Sequence, residues 1–154
     1  MAFPITDLAG YFAGGWRLER EIAGVDGAAM GRAGGRAVFT LEDGVLVYRE
    51  DGQMRLGTHT GPFTRTLHYR IAGDGLAAVH FDHGGFFHDL DLTTGEWVAG
   101  HPCRDDFYRG SYRVLDRGNW RQEWVVRGPA KDHVITSRFT RDESRPLTGA
   151  GCAG

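Results

Sequence analysis

Glycine-based turn signals recur along most of this sequence and divide it into short segments in which apolar and polar residues alternate. Gly accounts for 24 of the 154 residues. The signals lie about 8–12 residues apart, which is the spacing of hairpins in an antiparallel barrel or sandwich. They are Asp43-Gly44, Asp51-Gly52, Gly73-Asp74-Gly75, Gly84-Gly85, Thr94-Gly95, Arg117-Gly118 and Gly128-Pro129. The pattern predicts an all-β fold.

The alternating segments number eleven, but an up-and-down antiparallel barrel closes with an even number of strands. We therefore expect residues 53–71 to form one strand bent at Gly61-Pro62, since proline interrupts a ladder. This leaves a ten-stranded barrel. The predicted segments are 15–22, 35–42, 45–50, 53–60, 62–71, 76–83, 86–92, 96–103, 107–115, 120–126 and 132–140.

Both ends of the chain depart from the alternating pattern. Near the start, Thr6 is the predicted cap of a short helix that places Leu8, Tyr11 and Phe12 on one face. Residues 141–154 show no apolar periodicity, so we expect a flexible C-terminal tail after a single domain formed by residues 1–140.

The composition favours a soluble, cytoplasmic protein that binds neither nucleic acid nor membrane. The net charge is −2 and no block of Lys or Arg is present. No run approaches the roughly 18 apolar residues of a membrane span, and the first residues do not form a secretion signal. The two cysteines, Cys103 and Cys152, do not make a disulfide framework. The sequence does not determine the oligomeric state, and a homodimer is one of the possible states.

Turn lengths predict the register of each hairpin, and the register decides which side chains share the interior. The predicted pairings keep apolar residues of successive strands on one common face. The predicted partners are Ile71 with Ala77, Tyr69 with Val79, Phe81 with His88, Val79 with Leu90, His88 with His101, His101 with Gly110, Gly110 with Trp124, and Trp120 with Phe139.

These pairings predict an interior with two unlike ends. The apolar floor would consist of Ile71, Leu92, Trp97, Val114, Trp120 and Phe139. The polar mouth would consist of Arg65, His83, His88, His101, Cys103, Tyr108 and His133. The first strand is expected to close the sheet against the last, with Trp16 beside Phe139 and Arg20 directed toward the mouth.

A short helix, Gly14-x-Trp16 and a meander of strands together resemble the calycin superfamily, which includes lipocalins and fatty-acid-binding proteins. The resemblance implies a lipocalin-like barrel with Trp16 at its closed end and either Arg138 or Arg141 over the indole. Other motifs resemble an uncharacterised family of bacterial and fungal domains of unknown function. They are Phe87-His88-Asp89, His101-x-Cys103-x-x-Asp106-x-Tyr108 and Trp124-x-Val126-x-Gly128-Pro129-x-Lys131-Asp132.

Polar side chains on the apolar faces are the candidate ligand contacts. The guanidinium groups of Arg20 and Arg65 need an anionic partner, which can be a carboxylate or phosphate on the ligand. The alternative for these arginines is an internal ion pair with Glu50 or a position at the rim of the barrel. Tyr and Trp around a cavity suit a flat or amphipathic ligand. We predict an amphipathic or anionic organic ligand in the lumen, bound through Arg20, Arg65, His88, His101, Cys103, Tyr108, Tyr112, Trp124 and Lys131.

Two other functions stay open. An imidazole with a phenol can transfer protons, so His101 and Tyr108 would suit an enzyme. His88, His101 and Cys103 could converge on a metal ion, although we predict no specific metal site. The resemblance to haem-binding calycin barrels implies His88, His101 or His133 as an iron ligand. The sequence identifies no cofactor.

Overall fold

An antiparallel, ten-stranded, nearly closed barrel forms the protein in the computed structural model, which describes residues 1–103, 105–129 and 131–142 without the side chains of Cys103 and Lys131. The strands are neighbours in the order β6-β5-β4-β3-β2-β1-β10-β9-β8-β7. The predicted fold class is confirmed. The elements are α1 (Leu8–Phe12), β1 (Gly14–Gly24), β2 (Ala29–Glu42), β3 (Val45–Leu56), β4 (His59–Gly73), β5 (Leu76–Phe81), β6 (Phe86–Asp91), β7 (Glu96–Cys103), β8 (Asp106–Asp116), β9 (Asn119–Gly128) and β10 (Lys131–Arg141).

The division between β3 and β4 differs from the prediction. Asp51 and Gly52 lie inside β3, where Gly52 pairs with Gly35 of β2. A Cβ atom on Gly35 would come within 2.0 Å of the Asp51 carbonyl oxygen, so these glycines allow two strands to approach closely and do not form a turn. The turn lies at Gly57, whose φ is 64°. Residues 53–71 are therefore parts of two strands, and the prediction of one bent strand was wrong.

The predicted register is correct at three joints of the sheet and shifted by two residues at three others. Correct pairs are Tyr69 with Val79, Gly110 with Trp124, and Trp120 with Phe139. Shifted pairs are Val79 with His88, His101 with Tyr108, and Leu18 with Phe139. Side chains alternate with a period of two along a strand, so a two-residue shift leaves each one on its predicted face.

The predicted hairpin pairing of β6 with β7 was wrong. These strands are the two ends of the sheet, and no ladder joins them within the described residues. Two side chains of β7 bridge the seam instead. Trp97 Nε1 donates to the Asp89 carbonyl at 2.8 Å, and His101 Nδ1 donates to the Phe87 carbonyl at 2.9 Å. His101 therefore bonds to the β6 backbone and does not form the predicted pair with His88.

The N-terminal segment closes the floor of the barrel. Asp7, and not the predicted Thr6, caps α1 by accepting the Gly10 N–H at 3.0 Å. Leu8 and Phe12 are completely buried, and Phe12 stacks on Phe39. No helix in the described part of the chain is long and apolar enough to cross a membrane. The predicted floor residues Leu92, Val114, Trp120 and Phe139 are buried in the same core, with Ile71 and Trp97 half-buried against it.

Trp16 lies at this closed end beneath an arginine, as the calycin resemblance implies. Its indole is fully buried, and Nε1 donates to the Phe12 carbonyl at 2.9 Å. Arg141, and not Arg138, places its guanidinium carbon 3.8 Å from the centre of the indole ring system and donates to the carbonyls of Ala13 and Tyr11. Arg141 is the last residue of β10, and residues 143–154 of the predicted tail lie outside the described residues.

Candidate functional site

A cavity of about 490 Å³ occupies the mouth half of the barrel and is partly open to solvent. Small residues make the space, because the inner face of β2 carries Gly31, Ala33 and Gly35 opposite Ile22, Arg20 and Leu18 of β1. The largest apolar groups on the cavity wall are Phe63, Phe81, Phe87, Trp124, Val126 and Ile135. The main polar groups are Arg20, Glu50, Arg65, His101, Tyr108 and Gln122.

A β-bulge in β6 builds the aromatic part of the wall. His80 pairs with Phe86 and Val79 pairs with His88, so one step along β5 spans two along β6. Phe87 and His88, although adjacent in sequence, are both buried. The Phe87 ring stacks on Trp124, with ring centroids 5.1 Å apart, and on Phe81, with centroids 4.5 Å apart. The three rings form a continuous apolar slab beside the cavity.

Arg20 is neutralised inside the barrel by Glu50. Its two terminal nitrogens donate to the two carboxylate oxygens of Glu50 at 2.6 and 3.2 Å, and Nε donates to the Ser137 hydroxyl at 2.7 Å. Tyr48 donates to the same carboxylate at 2.5 Å. Burial, with the adjacent Glu50 charge, raises the pKa of Tyr48 well above its usual value, so the phenol keeps its proton. This cluster of Arg20, Glu50, Tyr48 and Ser137 is called the ion-pair cluster below.

Arg65 is the other arginine that lines the cavity, and it has no ion pair to any carboxylate in the described residues. It lies directly opposite Glu50 in the ladder between β3 and β4, but Glu50 is bonded to Arg20. Arg65 is exposed, and its guanidinium carbon lies 5.9 Å from the centre of the Phe87 ring. An uncompensated positive charge therefore stands beside the aromatic slab.

His101 and Tyr108 are direct cross-strand partners on the cavity wall, with ring centroids 6.3 Å apart. The Phe87 carbonyl can only accept, so the hydrogen bond to it places a proton on Nδ1 of His101. In the neutral imidazole Nε2 is then an acceptor. The pair thus offers a base and a phenol within the same part of the cavity.

His88 and Tyr112 lie in the core beneath the cavity rather than on its wall. His88 Nδ1 donates to the Asp89 carbonyl at 2.7 Å, which leaves Nε2 to accept from the Tyr112 hydroxyl at 3.1 Å. Burial lowers the pKa of His88 to about 4, so the ring is neutral at physiological pH. Both ring nitrogens are thus satisfied by the protein itself.

The structure brings together five of the nine predicted ligand contacts, which are Arg20, Arg65, His101, Tyr108 and Trp124. His88 and Tyr112 are core residues. The side chains of Cys103 and Lys131 lie outside the described residues. The other predicted mouth residues, His83 and His133, are an exposed turn residue and a half-buried residue of β10.

Sequence reasoning missed Phe87 and Gln122 as wall residues. Strict alternation along β6 directs Phe87 outward, because it directs the adjacent His88 inward. The bulge interrupts this alternation, and turn lengths alone do not predict a bulge. Gln122 had a usable signal, because it alternates with Trp120 and Trp124, both of which were predicted to point inward.

The possible metal cluster of His88, His101 and Cys103 is tested only in part, because the Cys103 side chain lies outside the described residues. No group of three His, Cys, Asp or Glu side chains converges anywhere in the residues that the structure describes. For a haem, His88 offers no free nitrogen, whereas Nε2 of His101 is an acceptor on the cavity wall. Of the three proposed histidine ligands, only His101 lines the cavity. It is the residue that an iron-containing group would use.

Comparison with known proteins identifies a family and a shared fold. The model of a family of unknown function, DUF6314, matches residues 12–141. No curated protein matches the sequence. The S-type phycobiliprotein lyase CPES from Guillardia theta is 8% identical, with 88% of this chain and 91% of that chain covered and a TM-score of 0.63.

Two further structures share the barrel. A protein of unknown function of the DUF3598 family from Nostoc punctiforme is 13% identical, with 92% of this chain and 51% of that chain covered and a TM-score of 0.63. The EF1p2_mFAP2b barrel, solved bound to DFHBI, is 10% identical, with 90% of this chain and 99% of that chain covered and a TM-score of 0.51. At these identities the likeness extends to the calycin-like fold alone.

Proposed function

The chain belongs to the DUF6314 family of unknown function, and we propose that its barrel binds a small amphipathic organic anion in the cavity. The observation that carries this proposal is the unpaired charge of Arg65 beside an apolar, aromatic-walled space of about 490 Å³. Ligand pockets of about 300–1,000 Å³ with apolar walls and a few oriented polar groups are typical of small-molecule sites.

The charges around the cavity favour an anion at the mouth. Arg20 and Glu50 cancel each other, whereas no described carboxylate pairs with Arg65. A carboxylate or sulfonate on the ligand would accept charge-assisted hydrogen bonds from Arg65. The planar guanidinium can donate two parallel hydrogen bonds to such a group. The anionic end of the ligand would therefore lie near the opening.

The walls favour a flat apolar body for the same ligand. The slab of Phe81, Phe87 and Trp124 presents aromatic surface, and Phe63 lines the cavity from β4. Aromatic rings gain by offset stacking or edge contact in addition to burial. Two barrels of the same fold, a phycobiliprotein lyase and a DFHBI-bound barrel, support the use of such an interior for small ligands.

A titration with 8-anilinonaphthalene-1-sulfonate, an aromatic anion, tests the proposal by calorimetry on the folded protein. We expect saturable binding of one probe per chain. Ala33→Phe fills the cavity from β2 and should weaken binding at least tenfold, whereas Ala72→Phe adds the same volume at an exposed position and should not. Equal affinities for the two variants, or no saturable binding to the native chain, would overturn the proposal.

Proton transfer is a second candidate function, favoured by the direct pairing of His101 with Tyr108 at the cavity. Nε2 of His101 could accept a proton from carbon while the phenol donates a hydrogen bond to a developing oxyanion. NMR of 4-acetylbenzoate in D₂O measures this as exchange of its methyl protons. Catalysed exchange that disappears in His101→Phe would favour an enzyme, and binding without exchange would favour a carrier or sensor.

A further inference from the structure

Gln122 is a buried amide that the protein leaves without a side-chain partner. The residue is 8% exposed and lines the cavity, yet its side chain makes no hydrogen bond to any described residue. The completely buried side-chain atoms that lack a hydrogen bond in the described residues are the Tyr69 hydroxyl and Trp120 Nε1, so the Gln122 amide is accessible from the cavity that it lines. An accessible amide that has no partner among the described residues is therefore available to form hydrogen bonds with an occupant of the cavity.

The register places Gln122 deep in the cavity. It lies on β9 one inward step above Trp120, a residue of the floor, and one below Trp124 of the aromatic slab. Its direct partner on β10 is Ser137, whose hydroxyl already accepts from Arg20 and so retains its own O–H as a donor. The deep end thus presents a glutamine amide and a hydroxyl side by side.

The ion-pair cluster makes this deep end electrically neutral. The charges of Arg20 and Glu50 cancel in an ion pair with two hydrogen bonds, and the Tyr48 hydroxyl donates a further hydrogen bond to the Glu50 carboxylate. A charged ligand group placed here would be desolvated with no opposite charge left to pair with it. A neutral polar group is the chemistry that this end can accept.

From these observations we infer that Gln122 is a specificity-determining residue for a neutral amide or lactam group on the ligand. An amide edge has one N–H donor and one C=O acceptor, and the Gln122 side chain offers the complementary acceptor and donor. The inference rests on the proposed function, since it assigns the deep end of the same ligand whose anion lies at Arg65. The ligand class is then a flat aromatic lactam or amide that carries an anionic group.

Two matched probes test the inference by competition with 8-anilinonaphthalene-1-sulfonate. Quinolin-2-one-4-carboxylate has a lactam edge, and quinoline-4-carboxylate has the same rings and anion without the lactam. The native chain should bind the lactam about tenfold more tightly, which corresponds to one or two net hydrogen bonds. Gln122→Met keeps the length of the side chain and should abolish this preference, whereas Gln53→Met at an exposed site of β3 should keep it.

Thermal unfolding distinguishes recognition from a structural role of Gln122. An amide that bonds nothing in the protein loses nothing on replacement, so Gln122→Met should match or exceed the native melting temperature. A clear fall in melting temperature would show a structural hydrogen bond and overturn the inference. Equal affinity of the native chain for the two quinoline probes would also overturn it, while leaving anion binding in place. Failure of every probe to bind would instead overturn the proposed function.

Discussion

Arg20 and Arg65 are two arginines on the inner side of one barrel, and both lie close to the same carboxylate. Glu50 bonds Arg20 through both of its oxygens, whereas Arg65, its direct neighbour across the ladder, receives no ion pair from it. Arg20 is held by Glu50 and Ser137, with Tyr48 on the same carboxylate, while Arg65 stands exposed over Phe87. Arg20 therefore has an anionic partner within the protein, whereas Arg65 has none among the described residues.

The difference separates residues that maintain the barrel from residues that are available for binding. A buried ion pair is costly to break, because removing one partner leaves a desolvated charge behind. An exposed arginine contributes little to folding but retains its donors for an incoming anion. Substitution of Glu50 or His88 should therefore change the free energy of unfolding, whereas substitution of Arg65 should change the affinity for the ligand.

Removing the carboxylate of the ion-pair cluster should have the largest effect. Glu50→Leu leaves the Arg20 guanidinium buried and unpaired, which should lower the free energy of unfolding by about 3–5 kcal/mol. Urea denaturation measures it. The double variant Arg20→Met/Glu50→Leu removes both charges and should recover most of the loss. A single variant as stable as the native chain would show that Arg20 and Arg65 do not differ in the way described.

His88 should make the barrel sensitive to acid. Its pKa is about 4 in the folded chain against 6.5 for an unperturbed histidine, so the unfolded state binds more protons between these two pH values. The stabilisation is complete above about pH 6.5 and is lost as the pH falls to about 4, by about 3 kcal/mol in total. Urea denaturation at several pH values compares the native chain with His88→Gln. The variant should lose less stability on acidification. If the free energy of unfolding fell equally with pH in both proteins, the role of His88 would be contradicted.

Arg65 should affect binding with little effect on folding. Arg65→Gln should weaken 8-anilinonaphthalene-1-sulfonate about tenfold, or about 1.4 kcal/mol, through the loss of a charge-assisted contact. The free energy of unfolding should stay within about 0.5 kcal/mol of the native value. Arg70→Gln, an exposed arginine of the same strand that does not line the cavity, is the matched control and should change neither quantity. Equal losses of affinity in both variants would indicate nonspecific attraction of the anion.

The seam between β6 and β7 should show the smallest effect. His101→Phe removes one hydrogen bond to the Phe87 carbonyl and should lower the free energy of unfolding by about 1 kcal/mol. Hydrogen exchange should then be faster at the amides of β6 than at those of β1, which pairs on both sides. Faster exchange spread evenly over the barrel would contradict a role limited to the seam.

Much of the barrel follows from local rules. Gly73-Asp74-Gly75 and the turn at Arg117-Gly118 predict the correct registers of β4 with β5 and of β8 with β9, because turn length sets strand pairing. The Gly35–Gly52 pair shows where such rules fail. The Asp-Gly sequence at Gly52 looks like a turn signal, but this glycine lets two strands approach closely. The choice depends on a neighbouring strand, which local sequence does not contain.

The candidate site was predictable in type but not in detail. Alternation identified Arg20 and Arg65 as inward residues, but only the folded geometry shows which of them Glu50 pairs with. Alternation likewise does not predict the bulge that turns Phe87 inward. It also does not predict that β6 and β7 lack a ladder in the described residues, so that the His101 side chain bonds to the β6 backbone. Partner choice among buried polar groups is a tertiary property.

An NMR titration of the native chain with 8-anilinonaphthalene-1-sulfonate tests most directly whether the barrel interior is the binding site. The account predicts shifts of the Trp124 indole and the Ala33 amide, with the Trp16 indole at the closed end nearly unchanged. Shifts confined to exposed apolar residues of the outer face, such as Val98 and Phe107, would contradict it.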